Sequence, residues 1–212
     1  MRDIPLFSTN AGTASLFLKN VSLSESAYVR ILDAINVDDL LNECVDFCKA
    51  VGAKHVYISG MDIMLNYNEC VNVIAMQANL SNIPTTDAVL VPVTEKTMEQ
   101  WRVIYNEKMK SVPTAELISY QNSRKYLQEG NCFFVYRGEI LLGIGVAKDD
   151  QIDAIAAVLP GVGQDVLSAL CHGRCKSIVR LSVAETNMPA MTLYNRLGFV
   201  KTQVVEKWYK IL

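Results

Sequence analysis

The 212-residue chain carries 20 Lys+Arg against 22 Asp+Glu, a formal net charge of −2, with half of its residues apolar and 20% charged. That balance excludes a disordered chain, and the lack of any basic run sets nucleic-acid binding aside. No apolar run reaches the ~18 residues of a spanning helix, and Met1-Arg2-Asp3-Ile4-Pro5 breaks with charge and proline before any apolar stretch, so the expectation is a cytoplasmic protein without membrane contact.

In chain order, Tyr28 to Ile35 predicts a strand, Asn36 to Gly52 an amphipathic helix with Leu40, Leu41, Cys44, Cys48 and Val51 on one stripe, and His55 to Ser59 a second strand. Asn36 suits the cap and Gly52 the left-handed stop. Such a crossover makes the two strands parallel. Ser81 to Thr86 gathers turn residues, and the domain boundary is placed there: 1–86 and 87–212.

Next come a strand from Asp87 to Val93, a helix from Glu95 to Met109, and a helix from Thr114 to Gln128, separated by Pro113. Cys132 to Tyr136 and Glu139 to Ala147 form a hairpin turned at Arg137-Gly138. Gly143-Ile144-Gly145, inside the second run, marks a bulge or a close backbone contact. The strand–helix–strand unit then returns as Ile152 to Val158, Gly161 to His172 ended by Gly173, and Ser177 to Val183. Asn187 to Leu197 is a helix capped by Asn187 and stopped by Gly198, and a strand runs from Lys201 to Leu212.

The six cysteines read as free thiols. Cys44/Cys48 and Cys171/Cys175 share the spacing of half a zinc site, but Cys-x-x-Cys is absent and thiols pack well on a buried stripe, so no metal is expected. Histidines 55 and 172 read as structural. Gly161-Val162-Gly163 lies between a strand and the helix Gln164 to His172, where glycines turn the backbone sharply and aim free amides, with the helix dipole, at an anion. The corresponding turn of the earlier unit, Asn36-Val37-Asp38-Asp39, sets two carboxylates there and repels one.

Asn187 to Phe199 can be an ordinary capped helix whose Ala190, Met191, Tyr194 and Leu197 form a core stripe. Its pattern Asn-x-x-Ala-x-x-Leu-Tyr-x-x-x-Gly-Phe, after the strand Ile178 to Val183, resembles the C-terminal motif of the GNAT family of acyl-CoA N-acyltransferases, and the order of elements from Asp87 to Leu212 agrees with that family throughout. Val158 stands where the family writes Arg or Gln, and the loop around Pro160 is short. The resemblance implies an α/β mixed-sheet fold, tandem-like, with an incomplete N-terminal copy that lacks the cofactor loop.

It further implies an N-acetyltransferase in which a small-molecule amine attacks acetyl-CoA directly. Tyr194 then matches the general acid, and Asp153, or else Glu185, the base. The backbone of Ala157 and Val158 matches the strand edge that meets pantetheine, Gly161, Val162, Gly163 and Gln164 the diphosphate loop, and Asn187 a further pantetheine contact. Two other classes remain open: a non-catalytic acyl-CoA-binding or regulatory module, and an interaction protein in which the fold serves as a homodimer scaffold.

Overall fold

The computed structural model describes residues 6–18, 21–60, 70–110, 112, 115 and 117–212, which fall into two compact units: residues 6–72 with Glu206–Leu212, and Val73–Val205. The turn-rich stretch at Ser81–Thr86 is thus internal to the second unit. The division falls earlier because β5 (Cys70–Asn79) pairs antiparallel with a strand of the second unit, a long-range choice that composition does not reveal.

In the first unit, β1 (Leu6–Thr9) and β2 (Gly12–Phe17) form a hairpin that the sequence reading did not resolve. After the short α1 (Val21–Ser24), β3 (Ser26–Ala34), α2 (Val37–Ala50) and β4 (His55–Ser59) make the expected strand–helix–strand crossover with its two strands parallel. The Asn36 carbonyl oxygen of the side chain accepts from the Asp39 amide at 3.3 Å, and Gly52 takes φ +96° beyond the last turn. Leu40, Leu41, Cys44 and Cys48 are fully covered against Val29, Val56 and Ile58. Burial pushes the thiols up, Cys44 to about 12 and Cys48 to about 11, as packing thiols require. Tyr209 and Lys210, at the end of the chain, add to the edge of β4.

In the second unit the strand order is β11 (Val200–Lys210, its first half), β5, β10 (Ile178–Ala184), β9 (Gln151–Ala157), β8 (Ile140–Lys148), β7 (Cys132–Arg137), β6 (Val89–Pro92). β5 with β10, β9 with β8, β8 with β7 and β7 with β6 pair antiparallel, and β9 with β10 pairs parallel. One face is covered by α5 (Gly163–Arg174) and α6 (Met188–Arg196), whose Val166, Leu170 and Tyr194 pack with Val135, Leu142, Leu181 and Val183. The other face, with Phe134, Ile144, Val146 and Ala156, is covered by α3 (Met98–Met109) and α4 (Tyr120–Glu129). Trp101 of α3 is wholly buried, and its indole N–H donates to the Phe133 carbonyl at 3.1 Å, so the ring brings its one polar atom to a partner.

Three expectations need correction. The second helix begins at Tyr120 and not at Thr114, because Ser119 caps it, its hydroxyl accepting from the Asn122 amide at 3.2 Å; Pro113 and Thr114 lie outside the described residues. The hairpin turns at Gly138-Glu139, since Arg137 pairs with Ile140 and Gly138 supplies φ +58°. Helix α5 runs through Gly173 to Arg174, where Leu90 fills the space a side chain would need. Cys175 therefore follows directly as the C-cap, buried beside Cys171. Among the described residues no cluster of His, Cys, Asp and Glu has the form of a metal site.

Gly143 answers to close contact: a Cβ there would lie 2.5 Å from the Ala156 carbonyl oxygen and 2.7 Å from Val166. Because the first neighbour is backbone, Gly143→Ala must move β9 or α5, and the expected cost is about 1–3 kcal/mol, read as a lower urea midpoint at unchanged slope.

Candidate functional site

Strands β9 and β10 begin as an ordinary parallel pair. The Arg180 amide donates to the Asp150 carbonyl at 2.8 Å, and the register holds at Arg180 with Gln151 and Leu181 with Ile152. There it stops, although β9 continues to Ala157 and β10 to Ala184. The two strands part, each held by its outer neighbour.

Strand alternation says which groups face the opening. The Val158 amide donates to the Leu142 carbonyl at 2.8 Å, so even-numbered residues at the end of β9 turn to β8, and the peptide groups of Ile155 and Ala157 face the gap. On β10, the Ser177 carbonyl accepts from Leu80, which turns the odd residues to β5 and leaves the Ser182 peptide facing β9. The Ala157 peptide therefore faces the gap, and so does that of Ile155, which only the register identifies. Val158 turns the other way: its N–H is spent on β8, and its carbonyl accepts from the Lys108 ammonium at 3.5 Å.

At the open end stands the start of α5. Gly161 adopts φ +81°, a left-handed turn open to a glycine, and Val162 is the cap residue, its carbonyl accepting the first helical bond from Val166 at 3.1 Å. No side chain caps the helix, and the amides of Gly163, Gln164 and Asp165 have no partner among the described residues. Free first-turn amides with the helix dipole behind them favour an anion. A cation stands beside them: Arg196 of α6 donates to the Gln164 side-chain oxygen at 3.0 Å. Asp165, which would oppose an anion, is turned aside, accepting from Thr86 at 3.0 Å and pairing with Arg137 at 2.9 Å. Arg196, two places after Tyr194 in the motif, was the missed residue with a sequence signal.

Asn187 caps α6, its side-chain oxygen accepting from the Ala190 amide at 3.4 Å, which leaves its NH2 group to spare. Tyr194 is 5% exposed, its ring 5.5 Å from that of Phe199 and beside Cys171; burial first, and Cys171 second, raise the phenol pKa above its ordinary value. Asp153 is the extra residue of a bulge, unmatched between Ile152 opposite Ala147 and Ala154 opposite Val146, at the point where the strands part. Its side chain is exposed over much of its surface, yet atoms packed about the carboxyl raise its pKa, against the hydrogen bond from Gln151 that lowers it. Glu185, the other base candidate, is engaged by Lys201 at 2.7 Å.

The first unit has neither feature. Its β3 and β4 stay paired from Ser26–His55 to Arg30–Ser59, and Asp38 and Asp39 occupy the first turn of α2.

No protein-family model matches the sequence, and no curated protein matches it. Solved structures do. A conserved protein of unknown function from Staphylococcus epidermidis ATCC 12228 superposes with TM-score 0.58 at 11% identity, over 99% of this chain and 94% of that one. GCN5-related N-acetyltransferases from Anabaena variabilis ATCC 29413 and Kribbella flavida give TM-scores of 0.62 and 0.59 at 8% and 9% identity, over 93% and 97% of this chain. The chain spans 59% of the length of each of those two. At such identities the likeness is one of fold, and the chain has the GNAT-like α/β fold.

Proposed function

We propose that the second unit is an N-acetyltransferase that takes an acetyl group from acetyl-CoA and gives it to a primary amine of a small molecule. The observation that carries this reading is the parting of β9 from β10 next to an uncapped helix start with an adjacent arginine. An extended chain bearing amides fits the unpaired edges at Ile155, Ala157 and Ser182, and a diphosphate fits the amides of Gly163 and Gln164 with Arg196. Coenzyme A has both parts in that order, and its thioester supplies an acyl carbon activated toward amines.

The chain's own residues do the rest. A backbone N–H from Ile155 or Ala157 is in place to stabilise the oxygen that gains charge during attack, with no reorganisation of solvent. Asn187 offers its NH2 to the pantetheine arm. Tyr194, neutral at any ordinary pH because burial raises its pKa, donates its proton to the departing thiolate. Asp153, at the apex of the gap, accepts a proton from the amine, and its raised pKa makes it a better base than an ordinary carboxylate.

Calorimetry with coenzyme A, followed by thiol release against a panel of amines, tests the proposal. The expected stoichiometry is one site per chain, since the first unit keeps its strands zipped and sets Asp38 and Asp39 at its helix start. Two sites, or none, overturn it. Binding without thiol release for any amine leaves a non-catalytic acyl-CoA-binding module.

A further inference from the structure

We propose that Cys171 and Cys175 are a redox-active dithiol at the C-terminal end of α5, where hydrogen peroxide is reduced and the two thiols close to a reversible disulfide. The inference stands apart from the transferase reading above. Cys171 is in the last turn of α5 and Cys175 is its C-cap, the Cys175 amide donating to the Cys171 carbonyl at 2.8 Å. Four residues of helix set their Cα atoms about 6 Å apart, inside the span that a disulfide bridges. At Cys175 the backbone leaves the helix with φ −105° and ψ 152°, so closure of the S–S bond disturbs no helical turn beyond it. The thiols already touch, Cys171 donating a hydrogen bond to Cys175. Both neighbours of Cys175 are anchored: the Arg174 guanidinium lies over the Phe133 ring at 5.2 Å, and the Lys176 amide donates to the Asp150 carboxylate at 2.6 Å. The pair is thus held together before any oxidant arrives, and little chain entropy is lost on closing it.

The two sulfurs take different parts. Cys171 is fully covered, whereas Cys175 keeps 7% of its surface exposed, so Cys175 is the thiol that a molecule as small as hydrogen peroxide reaches. The hydrogen bond from Cys171 first, and the Arg174 guanidinium after it, hold the Cys175 thiol below its ordinary pKa, against burial and the Asp150 carboxylate. That favours the thiolate, which is the nucleophile. Its sulfur attacks one peroxide oxygen, the O–O bond breaks, and the departing hydroxide takes the proton the thiol gave up, leaving Cys175 as a sulfenic acid and one water. The Cys171 sulfur then attacks the Cys175 sulfur, the S–O bond breaks, and hydroxide leaves as water with the Cys171 proton. Two thiols lose two electrons, and one hydrogen peroxide becomes two waters. Cys44 and Cys48 have the same spacing but both lie within α2, fully covered, with their thiols pushed up to about 12 and about 11, so neither begins this chemistry. Cys132 is likewise buried and pushed up to about 12.

The test treats the full chain with a small excess of hydrogen peroxide, alkylates it under denaturing conditions and maps tryptic peptides by mass. Trypsin cuts after Lys148, Arg174 and Lys176, so the disulfide joins 149–174 to the dipeptide Cys175-Lys176. That joined species is the expected first oxidation product, and dithiothreitol removes it. In Cys171→Ser the reaction stops at the Cys175 sulfenic acid, which dimedone traps. In Cys175→Ser the oxidation of Cys171 slows by about 10-fold or more, since no reachable thiolate is left to begin it. A first product at another cysteine, or a Cys175→Ser chain whose Cys171 oxidises at the wild-type rate, overturns the inference. Oxidation of Cys175 past the sulfenic acid without any joined peptide overturns it too. The wild-type map decides the question even where a variant fails to fold.

Discussion

Phenylalanine in place of Tyr194 lowers kcat for acetyl transfer by about 10²–10⁴, the usual contribution of a general acid, with KM for acetyl-CoA nearly unchanged. The substitution is clean because the ring is what the core holds: Phe199 and Cys171 pack against it, and the change removes one oxygen without opening a cavity. Thermal unfolding therefore shifts little. The pH profile adds a second reading. The raised phenol pKa keeps the acid protonated through alkaline pH, so its loss of function lies above the ordinary tyrosine range. The raised Asp153 carboxyl places the acid limb of kcat/KM above the usual carboxylate range, and Asp153→Asn removes that limb along with most of the rate. A Tyr194→Phe variant that turns over its best amine at the wild-type rate would falsify the role.

The parts of this fold that were legible in sequence are those fixed within a few residues. Asn36 and Asn187 announce their helices because a short polar side chain satisfies amides three residues on, and Gly52 and Gly198 announce the ends because the left-handed turn, φ +96° and +79°, suits glycine. The hidden parts depend on distant partners. Strand β5 buries Ile74, Met76 and Ala78 and leaves Val73, Ala75 and Gln77 only partly covered, an alternation that apolar residues on both faces conceal. Its partner β10 lies about a hundred residues away, so nothing local could say which sheet it joins.

The site divides in the same manner. The glycine loop, Asn187 and Tyr194 stand in a local motif, whereas the gap is a decision about where a parallel ladder stops. Strands β3 and β4 have the same strand–helix–strand sequence pattern as β9 and β10, yet one pair stays closed through Arg30–Ser59 and the other parts after Leu181–Ile152. Asp153 marks the difference: a bulge breaks the register with β8 at the residue after the last paired position, bending β9 where the gap begins. Val158 turns away from the gap for the same reason, since which amides face a gap follows from pairing parity and not from distance to the loop.

At the helix start the expected result is an asymmetry between two neighbouring charges. Gly163→Asp weakens coenzyme A by roughly 10- to 100-fold, because a like charge within a few ångströms of a partly exposed diphosphate costs on the order of 1–3 kcal/mol. The apo fold accommodates the change: a Cβ at Gly163 meets only Leu193, at 3.4 Å, and an acid in the first turn suits the helix dipole. Asp165→Asn, two residues on, does not weaken coenzyme A. That carboxylate already faces Thr86 and Arg137, and its removal leaves Arg137 bound to Asp87 at 2.7 Å with one competing acid fewer beside the anion site. Position therefore decides the outcome where charge alone would give both residues the same sign of effect. Calorimetry on the two variants reads the contrast, with circular dichroism to show that both are folded. Wild-type affinity in a folded Gly163→Asp protein would mean that the α5 amides hold no phosphate, and the ligand would then have to be sought away from this helix.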